Sequence, residues 1–136
     1  MNHLTPTYAK EGVRTERGFA ALRENCTAAK LVAELFSSSI GPHGMAKILL
    51  EENGEYKITS DLEIISREVK LVHPVGMILM EAGLATRGEV GDGFISTVLL
   101  AGLLIEKGWR LVNEGLHPSL VAKGYQLALE EALKII

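Results

Sequence analysis

Apolar side chains in the first third of the chain recur at the spacing of an amphipathic helix. They follow one another at alternating three- and four-residue steps, which places them on a single stripe of a helix surface. The positions on this stripe are Phe19, Leu22, Cys26, Ala29, Ala33, Phe36 and Ile40. Gly41-Pro42 then ends the predicted helix, because glycine caps helix C-termini and proline cannot continue a helix. Residues 1–15 lack any such period, and we predict an N-terminal arm there.

A β-hairpin is predicted after this helix. Two short β-prone segments, Lys47–Glu51 and Tyr56–Thr59, flank an Asn53-Gly54 pair. Asn-Gly is the strongest short-range hairpin signal because both residues tolerate a positive φ. Ser60-Asp61-Leu62-Glu63 follows, and its spacing of serine and glutamate matches a capping box that opens a short helix.

Three further helices complete the prediction. The His73-Pro74 pair starts one that runs to about Thr86, since proline suits the first position of a helix. A long helix is predicted from about Asp92 to Asn113, and a last helix follows His117-Pro118 and persists to the end of the sequence. The resulting fold class is mainly α, a multi-helix bundle with one small β-hairpin, in a domain of residues 16–136.

The long helix predicted after residue 93 is apolar on nearly every side. Its apolar residues are Ile95, Val98, Leu99, Leu100, Leu103, Leu104, Ile105, Trp109, Leu111 and Val112. This pattern is typical of a helix at the centre of a core, and the chain offers few other helices to surround it. The last helix is also apolar, at Leu129, Leu133, Ile135 and Ile136. We therefore expect another chain segment or another subunit to cover these surfaces.

Composition and charge narrow the class of protein. The 136 residues carry a formal net charge of -3, which gives no sign of the clustered basic surface that nucleic-acid binding requires. The longest apolar run, Phe94–Ile105, is interrupted by polar residues and is shorter than the roughly 20 residues of a membrane span. A single cysteine, Cys26, excludes an internal disulfide and fits a reducing compartment. We expect a cytoplasmic protein without nucleic-acid or membrane partners.

Glycine-rich segments are the candidates for ligand binding. Gly88–Gly93 stands before the long helix, where glycines admit a ligand to the backbone and the first free N–H groups favour an anion such as phosphate. Asp92 within it is a candidate oxygen ligand for Mg²⁺ that bridges phosphates. Taken alone, the segment also fits a flexible loop with Asp92 as N-cap, Gly41–Gly44 fits a helix terminator, and Asp61 fits a capping carboxylate. The histidines lack metal-ligand spacing.

The order of these motifs is more specific than any one of them. A helix ending in Ile40-Gly41-Pro42, an Asn-Gly hairpin and Thr59-Ser60-Asp61 lead to a His-Pro helix start. Glu89-Val90-Gly91-Asp92-Gly93 then opens an apolar helix, which is followed by Gly115-Leu116-His117-Pro118. In this order the chain resembles the group II chaperonins, the thermosome and its eukaryotic relative, over about residues 14–136.

The resemblance implies a fold, an activity and a set of site residues. Members of that family form double-ring assemblies that fold other proteins with ATP, and this chain is similar to the first part of their equatorial, nucleotide-binding domain. The positions that would bind ATP or ADP are Ile40, Gly41, Pro42, Gly91, Gly93 and Ser96. The resemblance further assigns Mg²⁺ binding, through the phosphates, to Asp92, and a catalytic role in orienting the attacking water to Asp61.

Several positions depart from the family's pattern. Phe94 and Ile95 replace the first two of three phosphate-binding threonines, which leaves Ser96 as the remaining hydroxyl. Leu62 replaces a glycine, and the second catalytic aspartate, on the family's intermediate domain, has no counterpart in this sequence. The bulk of Phe94 is expected to obstruct the pocket. Weak or absent nucleotide binding is therefore expected, and ATP turnover by this chain alone is not.

Different functions remain open on these residues. In the first, the chain is a chaperonin segment that contributes part of an ATP site and works with other chaperonin segments or subunits on unfolded client proteins. In the second, it is a chaperonin-derived interaction or oligomerisation module that has lost ATPase activity. The retained glycines and aspartates favour the first, whereas Leu62, Phe94 and Ile95 favour the second. An unrelated helical domain with coincidental loops is a third alternative.

Overall fold

The computed structural model describes residues 17–51, 53–69 and 71–136 and contains five helices and one hairpin within them. The predicted arm at 1–15 lies outside the described residues. In chain order the elements are α1 (Gly18–Ser37), β1 (Lys47–Leu50), β2 (Tyr56–Thr59), α2 (Leu62–Glu68), α3 (Pro74–Val90), α4 (Phe94–Asn113) and α5 (Pro118–Ile135). The predicted fold class, mainly α with one small hairpin, is confirmed.

The core lies where α1, α3 and α4 meet, and the contact between α1 and α4 is the most extensive between any two elements. Phe36 of α1 and Phe94 of α4 are fully buried there, and their rings meet edge to face with centroids 5.1 Å apart. Ala29, Ala33 and Phe36 of the predicted stripe are buried. Val32 is buried as well, because α1 packs against α3 in addition to α4.

The first helix is shorter than its apolar stripe predicts. It ends at Ser37, and Ile40 lies in the following loop with 50% of its surface exposed. The loop closes on itself, since the N–H of Ser39 donates to the Phe36 carbonyl at 3.0 Å and the N–H of Met45 donates to the Ser38 carbonyl at 2.8 Å. The placement of Ile40 on the helix is therefore wrong. These turn bonds replace the next helical ones before Gly41 is reached.

The hairpin forms in the predicted place, with Ile48 paired to Ile58 in an antiparallel register. Its turn differs from the prediction, because no described residue other than glycine has a positive φ. Gly54 alone of the pair has one, at 85°. Asn53 contributes through its side chain, whose Oδ1 accepts the N–H of Glu55 at 2.9 Å. Glycine carries the strained position and asparagine supplies a local hydrogen bond.

The short helix α2 begins one residue later than the capping box predicts. Its first helical bond runs from the N–H of Ile65 to the carbonyl of Asp61 at 3.0 Å, so Asp61 rather than Ser60 precedes the helix. The hydroxyl oxygen of Thr59 accepts the Asp61 N–H at 3.0 Å. Ile65 is fully buried and fixes α2 to the core.

Both predicted His-Pro helix starts are confirmed. His73 and His117 are the N-caps of α3 and α5, and the Nδ1 atom of each accepts the N–H two residues on, at 3.3 Å. The proline at the first helical position needs no hydrogen bond of its own. Within the described residues no helix is both long enough and apolar enough to cross a membrane.

Helix α4 is covered on one side by the described residues. Glycine at position 102 lets α1 approach closely, while Leu100 and Leu103 on other faces keep 61% and 52% of their surface exposed. Helix α5 packs against α4 and buries no residue fully. The structure thus leaves a large part of the apolar surface of α4 and α5 open, as the sequence pattern leads one to expect.

The α1–α4 contact predicts opposite effects for the same glycine-to-alanine change at two helical positions. A methyl group at Gly102 would lie 2.4 Å from the Cβ of Ala33, so Gly102→Ala should destabilise the fold by about 1–3 kcal/mol. A methyl group at Gly124 in α5 would meet, among the described residues, no side chain and no other element within 4 Å. Gly124→Ala should therefore stabilise the fold by about 0.5–1 kcal/mol. Urea unfolding measures both, and equal midpoints would contradict the packing described.

Candidate functional site

The turn between α3 and α4 is shorter than predicted. Helix α3 continues to Val90 rather than ending near Thr86, so Gly88 and Glu89 are helical and the loop is confined to residues 91–93. Gly91 caps α3 with a left-handed φ of 89°, and its N–H donates to the Arg87 carbonyl at 2.8 Å. The prediction of a loop from Gly88 onward is wrong, because helical hydrogen bonding persists until Gly91 turns the chain.

The N-terminus of α4 has no side-chain cap. Its N-cap is Gly93, with a φ of 98°, and the first helical bond joins the Thr97 N–H to the Gly93 carbonyl at 2.9 Å. Asp92 is therefore not the N-cap, although its Oδ1 accepts the Gly93 N–H at 2.7 Å. The amides at positions 94–96 are the first-turn donors of a 20-residue helix, and such donors favour a bound anion.

Phe94 does not block this turn. Its side chain is fully buried against Phe36, and it lies over Gly83 of α3, where a Cβ would be only 2.8 Å from the ring. The expectation that its bulk obstructs a pocket is wrong, since the ring points into the core. Ile95 is half-buried against the core, and Ser96 is exposed on the first turn of α4.

Asp61 lies at the same end of the molecule as this turn. Its Oδ1 is 3.6 Å from Nη1 of Arg87, which belongs to the last turn of α3. The sequence reasoning missed Arg87 because it treated the residues after Thr86 as loop. Basic residues are common in the last turn of a helix, so an arginine four residues before Gly91 was a signal that the helix continues past Thr86. The side chain of Leu62 lies outside the described part.

The loop after α1 lies against α4 at Ile40. Gly41 has a φ of 81°, the N–H of Gly44 donates to its carbonyl at 3.0 Å, and both Gly41 and Pro42 are exposed. Ile40 lines a groove together with Leu99 and Leu103 of α4. The packing of Phe36 on Phe94 places the end of α1 beside the start of α4, and an ion pair links Asp61 to the last turn of α3.

A second basic residue that sequence reasoning missed supports the loop after α1. Lys47, the first residue of β1, is half-buried and its Nζ donates to the Ser38 hydroxyl. This contact joins the hairpin to the loop that contains Ile40, Gly41 and Pro42. Lys47 and Arg87, neither of them a predicted site residue, thus connect the loop after α1 to the hairpin and Asp61 to the last turn of α3.

The donor set suits a magnesium ion that arrives with phosphate. Asp92 is exposed, and the described residues contain no group of three or more histidine, cysteine or acidic side chains that could hold a metal alone. Mg²⁺ commonly takes one or two carboxylates and completes its shell with phosphate and water. Cys26 is not a rival centre, because burial raises the pKa of its thiol and disfavours the reactive thiolate.

The fold matches that of chaperonins. A solved group III chaperonin in the open state superposes with a TM-score of 0.80 and 31% identity, covering 86% of this chain and 24% of that one. A sequence model of the TCP-1/cpn60 chaperonin family matches residues 32–136. The chain belongs to the TCP-1/cpn60 chaperonin family, and its helices and hairpin have the fold of the chaperonin equatorial domain.

Thermosome subunits are similar over nearly the whole chain. The alpha subunit of Aeropyrum pernix is 42% identical and that of Sulfolobus acidocaldarius 43% identical, each over 127 residues. The beta subunit of Thermoplasma acidophilum is 36% identical over the same length. These relatives confirm the predicted resemblance to group II chaperonins. The matched region is 93% of this chain but 23% of each relative, so the chain spans less than a quarter of their length.

The inward position of Phe94 predicts that restoring a threonine there harms the fold. Phe94→Thr should lower the free energy of unfolding by about 3–5 kcal/mol, because it removes a fully buried ring and places a hydroxyl in the core. Ser96→Ala, on the exposed face of the same turn, should stay within about 0.5 kcal/mol of the wild type. Denaturant unfolding followed by circular dichroism measures both, and a tolerated Phe94→Thr would contradict the inward placement.

Proposed function

We propose that this chain forms part of the ATP-binding equatorial region of a cytoplasmic chaperonin that assists protein folding in a ring assembly. The observation that carries the proposal is the uncapped first turn of α4 directly behind Gly91-Asp92-Gly93. The amides of this first turn and the helix dipole favour phosphate, and the carboxylate of Asp92 suits the Mg²⁺ that accompanies phosphate. Membership of the chaperonin family supports the same role.

Each predicted site residue has a distinct part in this proposal. The backbone of Gly91 and Gly93 lets phosphate approach the first turn of α4, where the Ser96 hydroxyl adds a donor. Asp92 holds Mg²⁺, which neutralises phosphate charge when bound. Ile40, Gly41 and Pro42, in the loop between α1 and β1, lie along the nucleotide. Asp61, which precedes α2, orients the water that attacks the terminal phosphate.

The affinity of this site is expected to be low. A hydrogen bond to a charged phosphate contributes about 1.5–3 kcal/mol, and the inward Phe94 and half-buried Ile95 supply no hydroxyl. Each missing bond corresponds to roughly ten- to hundredfold in affinity. We propose that binding is weak, that it rests on the backbone amides, and that hydrolysis requires polypeptide beyond this chain.

Calorimetric titration with Mg·ADP and Mg·ATP tests the proposal. The wild-type chain should bind with a dissociation constant of about 1 mM or tighter, which corresponds to about 4 kcal/mol. Asp92→Asn should abolish the dependence of this affinity on Mg²⁺, because the amide is a poor ligand for a hard cation. Glu114→Gln at the far end of α4 is the matched control and should behave like the wild type.

A wild-type chain that gives no heat at high nucleotide concentration would refute a working site. That result would leave the alternative function, an interaction or oligomerisation module without ATPase activity. One observation favours this alternative, which is the number of exposed large apolar side chains on α4 and α5. They include Leu100, Leu103, Leu104, Leu111, Leu120, Leu127, Leu129 and Leu133.

The alternative makes its own prediction about assembly. Wild-type chain should self-associate or bind a hydrophobic dye, because Leu129 and Leu133 on one face of α5 are 58% and 65% exposed. Leu129→Glu with Leu133→Glu should reduce both signals, whereas Glu131→Lys, an exposed charge reversal on the opposite face of the same helix, should not. Light scattering and dye fluorescence measure the outcome. A dilute wild-type monomer that binds no dye would contradict the expectation of uncovered apolar surface.

A further inference from the structure

Arg87 contacts both of the segments that carry the carboxylates of the proposed site. Its backbone carbonyl accepts the N–H of Gly91 at 2.8 Å, which forms the turn that leads to Asp92. Its guanidinium Nη1 lies 3.6 Å from Oδ1 of Asp61. Arg87 is thus bonded through its backbone to the phosphate turn and paired through its side chain with the residue that precedes α2.

The ion pair is poorly placed to serve as an anchor of the fold. The Arg87 and Asp61 side chains are 36% and 48% exposed, and pairs at such exposure contribute little to stability because water and salt screen them. Ile65, which is fully buried, already fixes α2 to the core. The position of Arg87 therefore calls for an explanation other than stability.

Charge supplies that explanation. Asp61 and Asp92 lie at the same end of the molecule, where a nucleotide would bring further negative charge in its phosphates. Magnesium bound to Asp92 offsets one carboxylate, but the other would repel phosphate unless a cation stands beside it. The guanidinium of Arg87 is a cation beside Asp61, and it keeps that carboxylate next to the last turn of α3, four residues before Gly91.

We propose that Arg87 is a positioning and charge-balancing residue of the nucleotide site. It holds Asp61 beside the phosphate turn and offsets its charge, so that a magnesium-bound polyphosphate can approach. The inference rests on the proposed function, and it assigns to Arg87 a role that none of the predicted motifs contains.

A double-mutant cycle on nucleotide affinity tests the charge balance. Arg87→Gln should raise the dissociation constant for Mg·ADP about three- to tenfold, because the positive charge of the guanidinium beside the Asp61 carboxylate is removed. Adding Asp61→Asn should return the constant to within about twofold of the wild type, and Arg87→Lys alone should preserve affinity. Arg110→Gln is the matched control, since Arg110 pairs with Glu106 at 3.5 Å toward the other end of α4.

The rescue distinguishes charge balance from direct phosphate binding. If Arg87→Gln binds like Arg110→Gln, or if Asp61→Asn fails to restore its affinity, the charge-balancing role is overturned. The second result would mean that Arg87 itself contacts phosphate. Because these side chains are partly exposed, all variants should retain the circular dichroism spectrum of the wild type.

Amide NMR separates failure of this inference from failure of the proposed function. Without nucleotide, Asp61→Asn should shift the amide signals of Gly91 and Gly93 in the wild-type background and leave them unchanged in the Arg87→Gln background. A wild-type chain that binds no nucleotide refutes the proposed site, yet this comparison still decides whether Arg87 positions Asp61. Equal shifts in both backgrounds would overturn the positioning role.

Discussion

The packing of α1 against α4 is the contact on which the remaining structure depends. Phe36 and Phe94 meet edge to face at one end of it, and Gly102 allows the two backbones to approach closely further along. This contact brings the last turn of α1 to the start of α4. Helix α3 packs against both helices, and its last turn leads through residues 91–93 into the start of α4. The candidate site is thus assembled from helix ends that the core holds in place.

The groups available to a ligand at the proposed site come mainly from the backbone. The uncapped amides of α4 are donors that depend little on side-chain identity, and the left-handed glycines at 91 and 93 turn the chain into that first helical turn. The ring of Phe94 is buried in the core and leaves this turn open. The proposed phosphate site therefore depends on backbone amides more than on side chains.

Much of the apolar surface of α4 and α5 is exposed, and the chain is much shorter than its relatives. Family relatives are more than four times as long, since the chain covers 23% of each. A helix such as α4, with leucines on several faces, gains stability only when each face is buried, and the described residues bury one of them. The same exposed leucines that favour an interaction module are those that additional chaperonin polypeptide would cover.

Local signals in the sequence determined the elements, and the tertiary structure decided how they end and what they touch. Proline at positions 74 and 118 and glycine at 54 act through their own backbone, so the helix starts and the hairpin were predictable. The ends of α1 and α3 depend on competing hydrogen bonds in the loops and were misplaced. The inward direction of Phe94 and the pairing of Arg87 with Asp61 join segments distant in sequence. Such contacts exist only after the helices have packed, and no local pattern contains them.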